Sequence, residues 1–146
     1  SSDLPTESIH LQGRFDTWPK RRGVTRVAEL DRAGINVCFA QDSIQDPWYP
    51  LGNGNIMRIL DAGLHICHML GYEDLQRCLD LITDNSARAL CLGDNYGIVE
   101  GRPANLLILD AENDYDAVCR QAKVLTSVRH GNVIMQRQPE EICYPV

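Results

Sequence analysis

No apolar run in this 146-residue sequence approaches the length of a membrane-spanning helix. Basic residues are in the minority, with 14 Lys and Arg against 20 Asp and Glu and a net charge of −6. That balance argues against nucleic acid or an anionic membrane surface as partner. The opening Ser1-Ser2-Asp3-Leu4-Pro5 shows neither the charged n-region nor the apolar h-region of a signal peptide. None of the six cysteines (Cys38, Cys67, Cys78, Cys91, Cys119 and Cys143) forms a C-x-x-C pair, and several sit in apolar segments. This is the usage of reduced, buried thiols, so we expect a cytoplasmic protein without a disulfide framework. Repeats and low-complexity segments are absent. The length suffices for one domain with a real core.

What is present is organised around one stretch. Ile35-Asn36-Val37-Cys38-Phe39-Ala40 is a short apolar run bounded by Ala33-Gly34, which reads as a buried parallel strand over 35–40. Gln41-Asp42-Ser43 follows it, then a loop with two prolines and two aromatics, Pro47-Trp48-Tyr49-Pro50. A strand that delivers an acid at its C-terminal end, ahead of a loop and a helix, is where α/β enzymes place chemistry. Asp42 is that acid. By itself, a lone Asp at a strand end is more often a helix cap or a loop hydrogen-bonder than a metal ligand.

Around this strand the periodicity is helical. Residues 1–23 lack it and read as a long loop containing the basic run Lys20-Arg21-Arg22, taken as a solvated patch. Val24, Val27, Ala28 and Leu30 mark a helix over 24–33, stopped by Gly34. Asn55 is an N-cap for a helix over 55–70, ended by Gly71. His65 and His68 lie in it at i and i+3. With no H-E-x-x-H pattern and no adjoining acid, we read them as packing or partly exposed residues rather than metal ligands. Further helices are expected over 73–83, 85–90 and 114–121, with a turn cluster at 92–97. Strands are expected at 104–109, 124–128 and 132–136, the last two joined by a tight hairpin around Arg129-His130-Gly131. The tail from Pro139 reads as loosely held.

A single buried parallel strand needs neighbours on its edges, and the first residues read as mid-loop. The expectation is therefore the C-terminal part of something larger. The alternative is a small independent α/β domain whose sheet comes from 104–109 and the hairpin.

Several segments carry a resemblance: His10-Leu11-Gln12-Gly13-Arg14-Phe15-Asp16-Thr17, Gly34-Ile35-Asn36-Val37-Cys38-Phe39 and, above all, Asp46-Pro47-Trp48-Tyr49-Pro50-Leu51-Gly52. Gly63-Leu64-His65 with Cys67, Leu81-Ile82-Thr83 with Ser86-Ala87-Arg88, Tyr96-Gly97-Ile98 and Ala104-Asn105-Leu106 continue it. Together they resemble bacterial cytosine deaminases of the amidohydrolase superfamily, over nearly the whole chain and roughly the last third of such an enzyme.

The resemblance implies an α/β fold class, the C-terminal part of a metal-dependent (β/α)8 barrel plus part of a small β-sandwich. Residues 1–96 would end the barrel, with strand 8 at 35–40, and residues 97–146 would belong to the sandwich. It implies that Asp42 is a metal ligand and a catalytic residue that handles the proton of the attacking water. The metal would be one divalent ion, zinc or iron, which lowers the pKa of bound water. It places Trp48 as a rigid wall over a planar heterocycle. Where enteric members carry a second Asp beside the substrate, this chain has Ser43. Cytosine is the first expectation as substrate, followed by isoguanine or N-alkylated triazines.

The family's His-x-His pair, further histidines and glutamate have no match among the four histidines here. An active site would therefore need the missing N-terminal part of the same enzyme as partner, and the complete enzyme is expected to be a homo-oligomer. Two readings stand: a portion of a metal-dependent aminohydrolase, and a non-catalytic remnant serving as a binding or assembly module.

Overall fold

The computed structural model describes residues 2–140, and it divides into two compact units at Leu92/Gly93. In the first, β1 (Ser2–Asp3) leads into α1 (Pro5–Leu11), and α2 (Val27–Arg32) leads into β2 (Cys38–Phe39). Three helices follow: α3 (Ile56–Ile66), α4 (Tyr72–Gln76) and α5 (Asp84–Ala89), with a 3-10 turn at Cys78–Ile82 between the last two. β1 and β2 pair in parallel, Ser2 opposite Cys38 and Asp3 opposite Phe39. The Ala40 amide extends the pairing by donating to the Asp3 carbonyl at 2.9 Å.

The core gathers on α3. Ile59, Leu60 and Leu64 are fully buried, as are Val27, Val37, Phe39 and Cys78. Their spacing on α3 follows the helical period, so one stripe faces β2, α1 and the 3-10 turn. Asn55 caps α3 as its sequence position implies, its side chain accepting from the Met57 amide at 3.1 Å.

Five expectations change. Residues 1–23 are not one long loop, because β1 and α1 lie inside them. Pro5 sits at the first helical position, where its missing N–H costs nothing, and α1 buries Glu7, a polar residue that no apolar pattern reveals. The strand expected at 35–40 narrows to Cys38–Phe39. Val37 is buried beside it, but its carbonyl accepts from the Asn85 side chain at 2.8 Å. The helix expected over 55–70 ends at Ile66, and His68 turns left-handed with φ 55°, a capping place that Gly usually takes. The helix expected over 73–83 breaks at Arg77, whose Nη2 donates to both oxygens of the Asp31 carboxylate at 2.9 and 2.8 Å. The helix over 24–33 starts three residues late, at Val27.

The second unit holds a three-stranded antiparallel sheet in the order β3 (Leu106–Leu109), β4 (Val124–Arg129), β5 (Asn132–Gln136). The β4–β5 turn is His130-Gly131, φ 49° and 78°, the conformation that suits a two-residue hairpin. α6 (Asp114–Cys119) connects β3 to β4, capped by Asn113, and buries Ala117 and Val118. Among the described residues no helix is long and apolar enough to cross a membrane. The five cysteines within them form no disulfide, and Cys143 lies outside the described residues, as does most of the tail from Pro139.

Candidate functional site

The C-terminal end of β2 is where the chain concentrates polar order. After Ala40 has paired with Asp3, the next amides leave the sheet, and a buried carboxylate takes two of them. Glu7, 5 % exposed, accepts through Oε1 from the amides of Asp42 at 3.2 Å and Ser43 at 3.3 Å. Its Oε2 accepts from the Thr6 hydroxyl at 2.6 Å. Neighbouring Asp3 is held too, its Oδ1 accepting from the Thr25 hydroxyl at 2.8 Å. The start of the unit thus grips the end of β2 across 35 residues of sequence.

The loop from Gln41 to Gly54 is closed by its own polar groups. The Gly54 amide donates to Gln41 Oε1 at 3.0 Å, and the Gln45 amide donates to the Gly52 carbonyl at 2.9 Å. Asp46 Oδ1 accepts from the amides of Trp48 at 3.0 Å and Tyr49 at 2.9 Å, an Asx turn that the Asp-Pro sequence favours. Arg58 on α3 reaches back to the Leu51 carbonyl at 2.9 Å. The Tyr49 ring leans on His10 of α1, centroids 5.6 Å apart. Gly52 passes so close to Ser43 that a β-carbon there would collide with the Ser43 carbonyl oxygen.

The three residues singled out from sequence sit together on this framework in different environments. Asp42 is exposed, and its carboxylate has no hydrogen-bonding partner among the described residues. Ser43 is buried, at 4 % exposure. Trp48 presents its ring at 62 % exposure, while its backbone is fixed by Asp46. Sequence reasoning missed Glu7, Gln41 and the clamping role of Asp46. Pro5 followed by an acid two residues on was the available signal for a helix start carrying Glu7.

Asp42 presents an exposed carboxylate, a donor whose chemistry suits one position of a metal site. A tight site takes three or four protein ligands, and the described residues contain no group of three or more His, Cys, Asp or Glu able to hold a metal. His65 and His68 do not supply it. His65 Nδ1 lies 2.9 Å from the Asp61 carbonyl and 3.3 Å from its carboxylate, and His68 occupies the left-handed turn after the helix.

The basic run is more than a solvated patch. Lys20 donates to the carbonyls of Gly13, Arg14 and Asp16, and Arg21 forks onto Asp16 at 2.6 and 2.8 Å. That hydrogen bond with Arg21 lowers the Asp16 pKa below the usual carboxylate value. The run therefore folds residues 13–21 into a closed turn.

The chain is 86 % identical to 5-methylcytosine deaminase from Klebsiella pneumoniae, solved with 5-fluorocytosine bound, with a TM-score of 0.94 over 99 % of this chain and 35 % of that one. It is 34 % identical over 110 residues to N-isopropylammelide isopropyl amidohydrolase of Pseudomonas sp. strain ADP, covering 75 % of this chain and 27 % of the relative. It is 28 % identical over 138 residues to pterin deaminase of Rhizobium rhizogenes, covering 94 % and 31 %. The chain thus spans about a third of the length of these relatives. A model of the amidohydrolase family matches residues 2–135, nearly the whole described length, and the chain belongs to that family.

Proposed function

We propose that the protein containing this chain deaminates cytosine or a 5-substituted cytosine such as 5-methylcytosine by hydrolysis, releasing ammonia. The observation that carries this reading is the 86 % identity with a 5-methylcytosine deaminase over 99 % of the chain. In this reading β1 and β2 are neighbouring strands of a (β/α)8 barrel, and the β3–β5 sheet is part of the accompanying β-sandwich. Residues N-terminal to this chain contribute the other ligands, and the complete enzyme is a cytoplasmic homo-oligomer.

Asp42, at the C-terminal end of β2, would be one ligand of a divalent zinc or iron ion. When bound, that ion lowers the pKa of water so that a hydroxide nucleophile exists near neutral pH. Asp42 takes the proton of the attacking water on its free carboxylate and returns it to the departing amino nitrogen. Trp48 stacks against the planar ring from its exposed position. Ser43, directly after the ligand, offers a short hydroxyl where enteric relatives offer a second carboxylate, which leaves more room and less charge beside the ring.

The test is the full-length enzyme with 5-methylcytosine, following ammonia and thymine. Turnover is expected, and Asp42→Asn should lower kcat by about 1,000-fold or more, because the amide accepts no proton and balances no metal charge. Absence of deamination with cytosine and 5-methylcytosine, despite stoichiometric metal, would overturn the substrate. Wild-type turnover in Asp42→Asn would overturn the role of Asp42, and a full-length protein that neither binds metal nor turns over would favour a non-catalytic module.

A further inference from the structure

Glu7 sits in the first turn of α1, far in sequence from the loop it holds. It is a buried carboxylate hydrogen-bonded to the chain just past β2, and the reaction as described above makes no use of it. Its Oε1 spans two consecutive amides, Asp42 at 3.2 Å and Ser43 at 3.3 Å, while Oε2 is engaged by Thr6. These two amides no longer point at a strand partner, and they belong to the residue that carries the free carboxylate and the residue after it. A carboxylate accepting two successive N–H groups fixes the peptide plane between them. The direction in which the Asp42 side chain leaves the backbone is thereby set from α1.

We infer that Glu7 is a positioning residue for Asp42: its carboxylate holds the Asp42–Ser43 peptide in the one orientation that aims the Asp42 side chain at its cation and at the reacting water. The inference rests on the reading of Asp42 given under the proposed function. Misplacement of a catalytic carboxylate by an ångström costs about 100-fold in rate, so a group that touches neither cation nor substrate can govern it. Length decides the fit. Glu7→Gln keeps an oxygen acceptor at the same reach, whereas Glu7→Asp retains the charge but falls one methylene short, and Glu7→Ala removes the acceptor.

Two measurements on the full-length enzyme test this. Amide hydrogen exchange over the peptide containing Asp42 and Ser43 should accelerate at least tenfold in Glu7→Ala and Glu7→Asp and stay protected in Glu7→Gln. Steady-state kinetics should show kcat lowered about 10- to 100-fold in the Ala and Asp variants, KM little changed, and kcat in Glu7→Gln at least tenfold above that of Glu7→Ala. If Glu7→Ala does not fold, Glu7→Asp against Glu7→Gln gives the same contrast. Equal protection and equal kcat in Glu7→Asp and Glu7→Gln would overturn the inference. Failure of the underlying reading looks different: Asp42→Asn would then leave turnover intact whatever the Glu7 variants do.

Discussion

The Phe39 ring packs against Gly63, setting a fully buried aromatic of β2 onto the helix that carries the core. A β-carbon on Gly63 would come within 2.6 to 2.9 Å of three ring carbons. Both partners are locked: Phe39 is fully buried on β2, and Gly63 lies inside α3. Gly63→Ala should therefore destabilise by about 1–3 kcal/mol through overpacking, although Ala is the better helix former. Denaturant unfolding of the two proteins checks it. An unchanged or raised midpoint would show that the ring has room to retreat.

Asn85 does for β2 what a neighbouring strand would otherwise do. Its Nδ2 donates to the Val37 carbonyl at 2.8 Å, and its own carbonyl accepts from Asn36 Nδ2 at 3.0 Å. Asn85→Ala leaves the Val37 carbonyl in the core without this donor, a loss of about 1–3 kcal/mol. Asn85→Leu should be no better, because volume does not replace the donor. Stability within error of wild type in both variants would refute this account.

Cys67 caps the end of α3, and burial with the charges of Asp3 and Glu29 pushes its thiol up to about 11. A raised thiol pKa keeps the neutral form at pH 8, where alkylating reagents need the thiolate. Cys67 should thus react roughly 100-fold more slowly than an ordinary accessible cysteine, while Cys91 and Cys119, both exposed, label first. Mass spectrometry of peptides after timed iodoacetamide treatment reads the order directly. As pH rises toward 11, Cys67 should catch up.

These residues show what the sequence could and could not reveal. The Asn55 cap and the His130-Gly131 hairpin were legible because their signals are local: a polar residue ahead of an apolar period, and a turn pair between two strand patterns. The apolar run at 35–40 announced a buried strand, yet its length was set by Asn85, 48 positions away, which claims the Val37 carbonyl. β1 was invisible because two residues carry no period, and α1 because what it buries, Pro5 and the acid Glu7, makes no apolar helical stripe. Asp42, Ser43 and Trp48 were picked from one segment, and the structure puts them on one framework. The residues that hold that framework, Glu7 and Gln41, gave no pattern in sequence, since a hydrogen bond to a backbone amide asks only for an acceptor at the right distance.

Gly52 tests the loop without touching an exposed side chain. Its backbone runs against Ser43, and the Gln45 amide donates to its carbonyl at 2.9 Å. Gly52→Ala must push the Ser43 carbonyl away or open the loop. In the full-length enzyme kcat/KM for 5-methylcytosine should fall about 10-fold or more, with the melting temperature lowered only slightly, since loop contacts contribute little to global stability. Wild-type kinetics would mean that the close approach has no bearing on the substrate side of the loop.

Trp48 separates ring from backbone more cleanly. Asp46 fixes the amides of Trp48 and Tyr49 through one oxygen, so the course of the chain does not depend on the indole, which is 62 % exposed. An exposed indole on a fixed backbone is a preorganised surface for a flat ligand: it presents apolar area at little conformational cost. Trp48→Ala should keep metal content and melting temperature near wild type and raise KM about tenfold, the loss expected for one aromatic contact. Trp48→Phe should recover part of it, since a smaller ring still stacks. Asp46→Ala should act differently, loosening the turn and lowering kcat together with the protection of the Trp48 and Tyr49 amides. If Trp48→Ala instead loses metal while KM holds, the indole belongs to the support of the ligand end of β2, and the wall facing the heterocycle must be sought on another loop.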